Sequence, residues 1–389
     1  MRSLEAGERT ALRIADVSYS YGELAERSLR MAGWLRASVP GNSARIGVLA
    51  SRSVDAYAAV LGTCLAGFTY VPLNPELPDE RLAALLTRSR LDALIADRPV
   101  PDGVRACAPP RILSPDERAL LDQTRPLERP AEVAADAHAY IMFTSGTTGV
   151  PKGVIVTAGN VAHYLEGMRQ RCPIEPSDRV SQFFEFTFDP SVSDLFMTLG
   201  AGASLHTVPA SQLMAPARFI KDEQLTVWYS VPSTVAMMRK MKLLSPGSFP
   251  TLRASIFSGE PLPHSSVEAW LAAAPNSIIE NHYGPTEVTV NCTSDRYSKA
   301  TPNVTETRGM LSIGTPYPYM SAAILGEDRC FLPPGETGEL AMSGPQVAEG
   351  YFDDPELTAR RFVRLRSSTS GDAVWYLTGD LAYEDAGGR

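Results

Sequence analysis

The chain has 389 residues, 44% of them hydrophobic and 21% charged, with 36 Lys+Arg against 44 Asp+Glu for a net charge of −8. That balance excludes intrinsic disorder, collagen and a whole-chain coiled coil, and the length accommodates two or three domains. No basic run offers a face to a phosphate backbone, so nucleic acid is not the expected partner, whereas a local anionic ligand such as a nucleotide is compatible.

The N-terminus, Met1–Arg13, has no apolar core and does not read as a signal peptide, which makes a reducing cytoplasm the expected compartment. An amphipathic helix is predicted over Tyr21–Ser38, with Leu24, Ser28, Met31 and Leu35 on one face, followed by a strand over Arg45–Ala50. Ala56–Leu73 is uncharged for 18 residues, the lower edge of membrane-spanning length. Gly62, Gly67, Thr69 and Pro72 divide it, however, into a buried helix carrying Val60, Leu61, Cys64 and Leu65 and a short strand, Phe68–Leu73. A helix over Asp79–Ser89 and a strand over Ala93–Ala96 come next. Arg98–Asp136 holds seven prolines and reads as a surface connection between two α/β units.

Further strands are predicted over Ala139–Phe143, Arg179–Phe184, Ser204–Val208, Val227–Val231, Ala254–Phe257 and Ser277–Glu280, with helices over Asn160–Arg171 and Pro263–Ala273. These apolar runs lack period-two alternation, as strands covered on both faces should. Strand–helix alternation implies an α/β fold with largely parallel, helix-covered sheets. After Gly309 the texture changes to short strands between Gly and Pro. The expected organisation is therefore a two-sheet α/β core over 1–309 and a small β-rich, barrel-like subdomain over 310–389. Five cysteines (Cys64, Cys107, Cys172, Cys292, Cys330) without a C-x-x-C pair form neither a disulfide framework nor a zinc site, and five dispersed histidines argue against a histidine metal centre.

The sharpest local feature is the segment from Tyr140 to Gly153. A strand runs into Thr144, Ser145, Gly146, Thr147, Thr148 and Gly149 and then meets Lys152. Glycines let backbone N–H groups approach an anion, hydroxyls donate to its oxygens, and a lysine adds a point charge. This is a polyphosphate-binding pattern. It is not a Walker loop, because Pro151 stands where the second glycine belongs and Gly153 replaces the magnesium-binding hydroxyl.

That segment resembles the signature loop of the acyl-adenylate-forming superfamily, which comprises adenylation domains, acyl-CoA ligases and luciferases. Tyr19–Leu24, Leu65–Asn74, Asn281–Glu287, Gly338–Gly344 with Gly350-Tyr351, and Tyr376–Asp380 match the family's other motifs in order, so the resemblance spans nearly the whole chain. It implies that a carboxylate is joined to the α-phosphate of ATP with loss of magnesium pyrophosphate, a reaction in which two anions approach and cations must neutralise developing charge. Carried over by position, Glu287 would hold Mg²⁺ and Thr286 the α-phosphate. Thr144, Ser145, Thr147, Thr148 and Lys152 would hold the β- and γ-phosphates, and Asp380 the ribose hydroxyls. Tyr283 would stack on adenine, Asn281 would read its edge, and Gly259 and Glu260 would line the other face. Thr286, Glu287 and Lys152 are the expected catalytic residues.

Amino-acid-activating members of the family carry an aspartate in an F-D-x-S motif, and Phe188-Asp189-Pro190-Ser191 is similar to it. A buried carboxylate needs a cation, and a substrate ammonium supplies one; alternatively, Asp189 caps the helix that begins at Pro190. The family's pocket positions fall on Asp189, Ser193, Ser230, Ile256, Ser258, His282, Val290 and Asn291. This polar lining suits alanine, serine or glycine, with proline second, and His282 reads as a pocket-wall residue without a catalytic part. The resemblance is to nonribosomal-peptide-synthetase adenylation domains that load the phosphopantetheine thiol of a carrier protein. With Met1 just ahead of the first motif, a stand-alone enzyme is expected. The family's C-terminal lid domain, which supplies a lysine and rotates during the reaction, would begin beyond Arg389, so slow turnover is expected of residues 1–389. An acyl- or aryl-CoA ligase and a non-catalytic nucleotide-binding relative are the alternatives. No membrane partner is expected.

Overall fold

The computed structural model describes residues 7–144, 151–300, 303–305, 308–367 and 371–389. Strands and helices alternate as the apolar pattern predicts. The helix Tyr21–Ser38 begins in a capping box, with the Glu23 N–H donating to Ser20 Oγ and the Ser20 N–H donating to the Glu23 carboxylate. The uncharged stretch 56–73 divides as expected into the helix Val54–Leu65 and the strand Thr69–Leu73. Between them Gly67 takes φ +71, and paired bonds close the helix end, Phe68 N–H to Thr63 C=O and Gly67 N–H to Cys64 C=O. Only glycine takes that left-handed cap without a Cβ penalty. Among the described residues no helix is long and apolar enough to cross a membrane.

A seven-stranded sheet has the spatial order Gly350–Tyr351, Lys152–Thr157, His138–Thr144, Thr69–Leu73, Arg45–Leu49, Ala93–Ala96, Ile112–Leu113. A nine-stranded sheet runs Thr315–Pro316, Thr293–Arg296, Ile278–Tyr283, Ala254–Phe257, Val227–Ser230, Arg179–Gln182, Ser204–Thr207, Thr10–Ile14, Val17–Ser20. Both are parallel in their centres and antiparallel towards an edge. Ser321–Leu325, Gly338–Ser343, Gly371–Ala382 and Phe362–Ser367 form a third, antiparallel sheet, in which no pairing joins the two outer strands among the described residues. The α/β architecture is as expected, and the barrel-like element is this open four-stranded sheet.

Two features depart from the sequence pattern. The proline-rich segment 98–136 begins and ends in the seven-stranded sheet and contributes an edge strand, Ile112–Leu113, parallel to Leu94–Ile95. It is an excursion within one unit, because the apolar pair Ile112-Leu113 adds to an open sheet edge. The strand Thr10–Ile14 pairs in parallel with Ser204–Thr207, Leu12 opposite Leu205, so the N-terminus belongs to the sheet formed later in the chain. One core joins Leu12, Met31, Tyr57, Tyr70, Tyr140 and Tyr229 across both large sheets, and a second packs Trp228, Phe257 and Trp270 against the other face of the nine-stranded sheet.

Candidate active site

The strands His138–Thr144 and Lys152–Thr157 form an antiparallel pair in which Thr144 lies opposite Lys152. Ser145, Gly146, Thr147, Thr148 and Gly149 lie outside the described residues. Thr144 Oγ1 is buried without a hydrogen-bond partner among the described residues, an arrangement that leaves it a group to offer a ligand. Lys152 Nζ is 2.6 Å from Glu287 Oε1 and sits 4.9 Å from the centre of the Tyr351 ring. The Tyr351 hydroxyl donates to the same Glu287 oxygen at 2.7 Å. Burial pushes the Glu287 carboxyl up, and the Lys152 ammonium and Tyr351 hydroxyl outweigh it, so the group titrates below its ordinary range. Tyr351 arrives because Gly350–Tyr351 pairs with Val154 and Ile155 in the strand that begins at Lys152.

Glu287 stands on a turn, Thr286–Val288, that follows the strand Ile278–Tyr283. The next two residues, Thr289 and Val290, take φ +56 and +69. For β-branched residues this is strained backbone. Gln346 holds it: its backbone carbonyl accepts from Thr289 Oγ1 at 2.7 Å, and its side-chain Nε2 donates to the Asn291 carbonyl at 2.8 Å. A Cβ on Gly284 would lie 2.5 Å from Asn291 Cα, so only glycine lets the turn fold back this closely. The bend turns Glu287 towards Lys152 and leaves Asn291 on the pocket side.

Asp189 precedes the helix Pro190–Ala201, and its side chain makes no capping bond. The capping alternative is therefore not realised. Its Oδ2 is buried without a hydrogen-bond partner among the described residues. Burial pushes the carboxyl up to about 7, opposed by the Thr286 hydroxyl and reinforced by the charge of Glu287. Asp189, Thr286, Glu287, Lys152 and Thr144 thus form one continuous line of neighbours.

At the other end Tyr283 Oη donates to Asp380 Oδ2 at 2.6 Å, which joins the nine-stranded sheet to the strand Gly371–Ala382. Asn281 donates through Nδ2 to the Ser312 carbonyl at 2.8 Å. Gly259 and Glu260 are exposed, and the Glu260 carboxylate accepts from the Ser233 N–H and hydroxyl.

Ser193, Ile256, Ser258, His282, Val290 and Asn291 are all buried. Ser258 Oγ lies 2.9 Å from Tyr229 Oη, and Asn291 Nδ2 donates to that hydroxyl at 2.7 Å. Burial lowers the His282 pKa, so its ring is neutral; Nδ1 lies 2.7 Å from Tyr317 Oη. Ser230 requires correction. Its Oγ accepts from Trp228 Nε1 at 2.8 Å, and strand alternation sets both on the face packed by Trp270, opposite Tyr229. The residue this strand presents to Ser258 and Asn291 is Tyr229. Tyr229, Tyr164, Tyr351 and Gln346 were missed from the sequence. Tyr351 was signalled by the Gly350-Tyr351 motif, while the others carry no local pattern.

Among the described residues no group of three or more His, Cys, Asp and Glu forms a metal cage. The single buried carboxylate of Glu287 fits magnesium, an ion that keeps several waters and takes phosphate oxygens. The Thr144 hydroxyl beside Lys152, which has no hydrogen-bond partner among the described residues, fits a phosphate.

The family model described as AMP-binding enzyme matches residues 2–352. The delta-poly-L-ornithine synthetase of Acinetobacter baumannii (strain AB307-0294) is 32% identical over 98% of this chain and 28% of its own length. The D-alanine–D-alanyl carrier protein ligase of Bacillus velezensis is 31% identical over 97% of this chain and 74% of that protein. A crystal structure of the Vibrio cholerae adenylation domain AlmE in complex with glycyl-adenosine-5'-phosphate superimposes with a TM-score of 0.86 at 29% identity, covering 99% of this chain and 76% of that one. The chain thus spans little more than a quarter of the first of these relatives.

Proposed function

The chain belongs to the AMP-binding enzyme family, and from that premise we propose that it activates a small α-amino acid as its adenylate, an activity of the nonribosomal-peptide-synthetase type. Alanine, serine or glycine is the proposed substrate, with proline second. The amino-acid carboxylate would attack the α-phosphorus of ATP, forming the acyl–phosphate bond as the bond to pyrophosphate breaks. ATP supplies the leaving group, and Mg²⁺ neutralises its oxygens. Lys152 and Thr144 would hold the outer phosphates together with Ser145, Thr147 and Thr148. Thr286 would hydrogen-bond the α-phosphate and Glu287 would hold the metal. Asp380 would accept from the ribose hydroxyls beneath a stacked Tyr283.

One observation carries the amino-acid assignment. Asp189 keeps a buried carboxylate oxygen without a hydrogen-bond partner among the described residues, next to Thr286 and within the field of Glu287. An uncompensated carboxylate is costly, and an ammonium group placed there relieves the cost. An acyl- or aryl-CoA ligase has no cation to offer it. The D-alanine–D-alanyl carrier protein ligase and the glycyl-adenylate complex are named for small amino acids, which supports the same size class. The product would pass to the phosphopantetheine thiol of a carrier protein, and a C-terminal lid domain would bring a further lysine over the cleft. The deciding experiment is ATP–pyrophosphate exchange against an amino-acid panel. Strongest exchange with alanine, serine or glycine supports the proposal, and strongest exchange with phenylalanine or a fatty acid overturns it.

A further inference from the structure

Arg52 reaches from one large sheet to the other. It follows the strand Arg45–Leu49 of the seven-stranded sheet and takes φ +51, a left-handed conformation that a non-glycine residue rarely adopts. Its neighbours secure that bend: the Ser51 N–H donates to Asp97 Oδ2 at 3.1 Å, and the Ser53 hydroxyl donates to the same oxygen at 2.7 Å. From there the guanidinium donates to the Val208 carbonyl and, at 3.0 Å, to the Phe183 carbonyl, just past the ends of two adjacent strands of the nine-stranded sheet. Arg52 Nε lies 2.7 Å from Glu185 Oε1, and the Ser51 hydroxyl donates to Glu185 Oε2 at 2.6 Å. Both carboxylate oxygens of Glu185 are thus engaged by the bend at 51–52.

Glu185 opens the turn that delivers Asp189. Its backbone carbonyl accepts from the Phe188 N–H at 2.9 Å. The bonds that follow, Ser191 N–H to the Phe188 carbonyl at 3.0 Å and Val192 N–H to the Asp189 carbonyl at 2.9 Å, run into the helix Pro190–Ala201. On either side of Glu185, Phe184 and Phe186 are buried, with rings 5.0 Å from Tyr229 and 5.1 Å from Tyr57. Phe188, next to Asp189, is exposed. The turn is pinned by two rings in the core and by the Glu185 carboxylate on the 51–52 bend.

We propose that Arg52 and Glu185 are positioning residues for substrate recognition: their ion pair sets where Asp189 stands and so how well it meets the substrate ammonium. This rests on the amino-acid reading above and extends it to two residues outside the pocket. The pair acts through geometry, because a charge-assisted bond weakens as donor and acceptor move apart or out of line. The left-handed backbone of Arg52 persists because its flanking serines and Glu185 hold it, a pattern found where geometry serves a site. The guanidinium fork meets a carboxylate and two carbonyls at once, which a lysine ammonium does not reproduce.

The test compares equilibrium binding of alanyl- and propionyl-sulfamoyl adenosine, non-hydrolysable mimics that differ only by the α-ammonium. It is made at about pH 8, where Asp189, with its carboxyl at about 7, is mostly ionised. Wild type is expected to prefer the alanyl mimic by about 30-fold, the scale of a hydrogen bond to a charged group. Glu185→Ala is expected to lower that preference to about threefold by weakening the alanyl mimic alone, with propionyl-mimic and AMP affinity unchanged. Glu185→Gln keeps an acceptor for Arg52 and is expected to restore the preference to about 30-fold. AMP binding reports a folded chain, and Arg52→Lys takes the place of Glu185→Ala, with the same expectation, if the latter fails that check. A preference that survives these variants while Asp189→Ala removes it overturns the positioning role and leaves the amino-acid reading standing. Equal weakening of both mimics does the same. No preference in wild type overturns the amino-acid reading, and the positioning role with it.

Discussion

Lys152 and Glu287 meet at 2.6 Å although 135 residues separate them, and the Tyr351 hydroxyl closes the contact on the same oxygen. The cation proposed for phosphate and the carboxylate proposed for magnesium neutralise each other. Bringing nucleotide and metal together replaces one ion pair by two matched ones, so neither ligand group waits as an uncompensated buried charge.

Lys152→Ala is expected to destabilise the protein by roughly 1–3 kcal/mol, discounted because the lysine keeps partial contact with water. Urea unfolding measures it, and adding Glu287→Gln should restore most of the loss. Glu287→Gln alone should lower ATP–pyrophosphate exchange on the order of 100-fold and raise the magnesium requirement. Full activity at unchanged magnesium removes Glu287 from the metal site. Because the folded-state Glu287 carboxyl titrates below its ordinary value, the pair's stabilisation is present above about pH 4.3 and is lost as pH falls through the lower folded value.

Amino-acid binding should depend on Asp189 ionisation. With its carboxyl at about 7 in the free protein, about a tenth is ionised one pH unit lower, so affinity at pH 6 should be about tenfold weaker than at pH 8. Asp189→Asn should abolish this dependence together with most of the affinity. The raised value also means that the free protein loses stability as pH rises from the ordinary aspartate range through 7, and Asp189→Asn should flatten that slope. Calorimetric titration at several pH values checks the first point and thermal unfolding the second.

The link between Tyr283 and Asp380 ties two sheets at the end proposed to hold the nucleoside. Asp380→Ala should weaken AMP and ATP binding at least about tenfold, the loss of one charge-assisted bond or more. Tyr283→Phe keeps the stacking ring and should change affinity by less than about threefold while losing only an exposed hydrogen bond. Equal effects of the two substitutions would place the nucleoside elsewhere.

Asp194 is buried with both carboxylate oxygens unpartnered among the described residues, and burial holds its pKa well above the ordinary value. Asp194→Asn should gain stability relative to wild type as pH rises above the ordinary aspartate value of about 3.9, because from there upward the unfolded chain gives up the proton that the folded chain retains. Thermal unfolding between pH 5 and about pH 9 measures the difference. A constant gap across that range counts against a titrating Asp194.

The α/β class, most strands and helices, and the groups proposed to hold phosphate were legible in the chain because each is written locally. Apolar runs of strand length, a capping box at Ser20–Glu23 and a strand running into hydroxyls and a lysine need no distant partner to be recognised. Asp189 was legible through the resemblance of Phe188-Asp189-Pro190-Ser191 to a family motif, whereas its burial, on which the need for a cation rests, is a product of the fold. Other features depended on contacts between distant segments. The pairing of Thr10–Ile14 with Ser204–Thr207 and the return of 98–136 to its own sheet follow from which edges lie open after collapse. Whether Ser230 or Tyr229 faces the pocket is a question of strand phase, and one residue of offset exchanges the two faces. The hydrogen-bonded cluster of Tyr229, Tyr164, Ser258 and Asn291 draws on four separate segments of the chain, so no window of sequence contains it. Local chemistry is spelled out along the chain, whereas the size of a pocket is set by side chains that become neighbours only when the sheets close on one another.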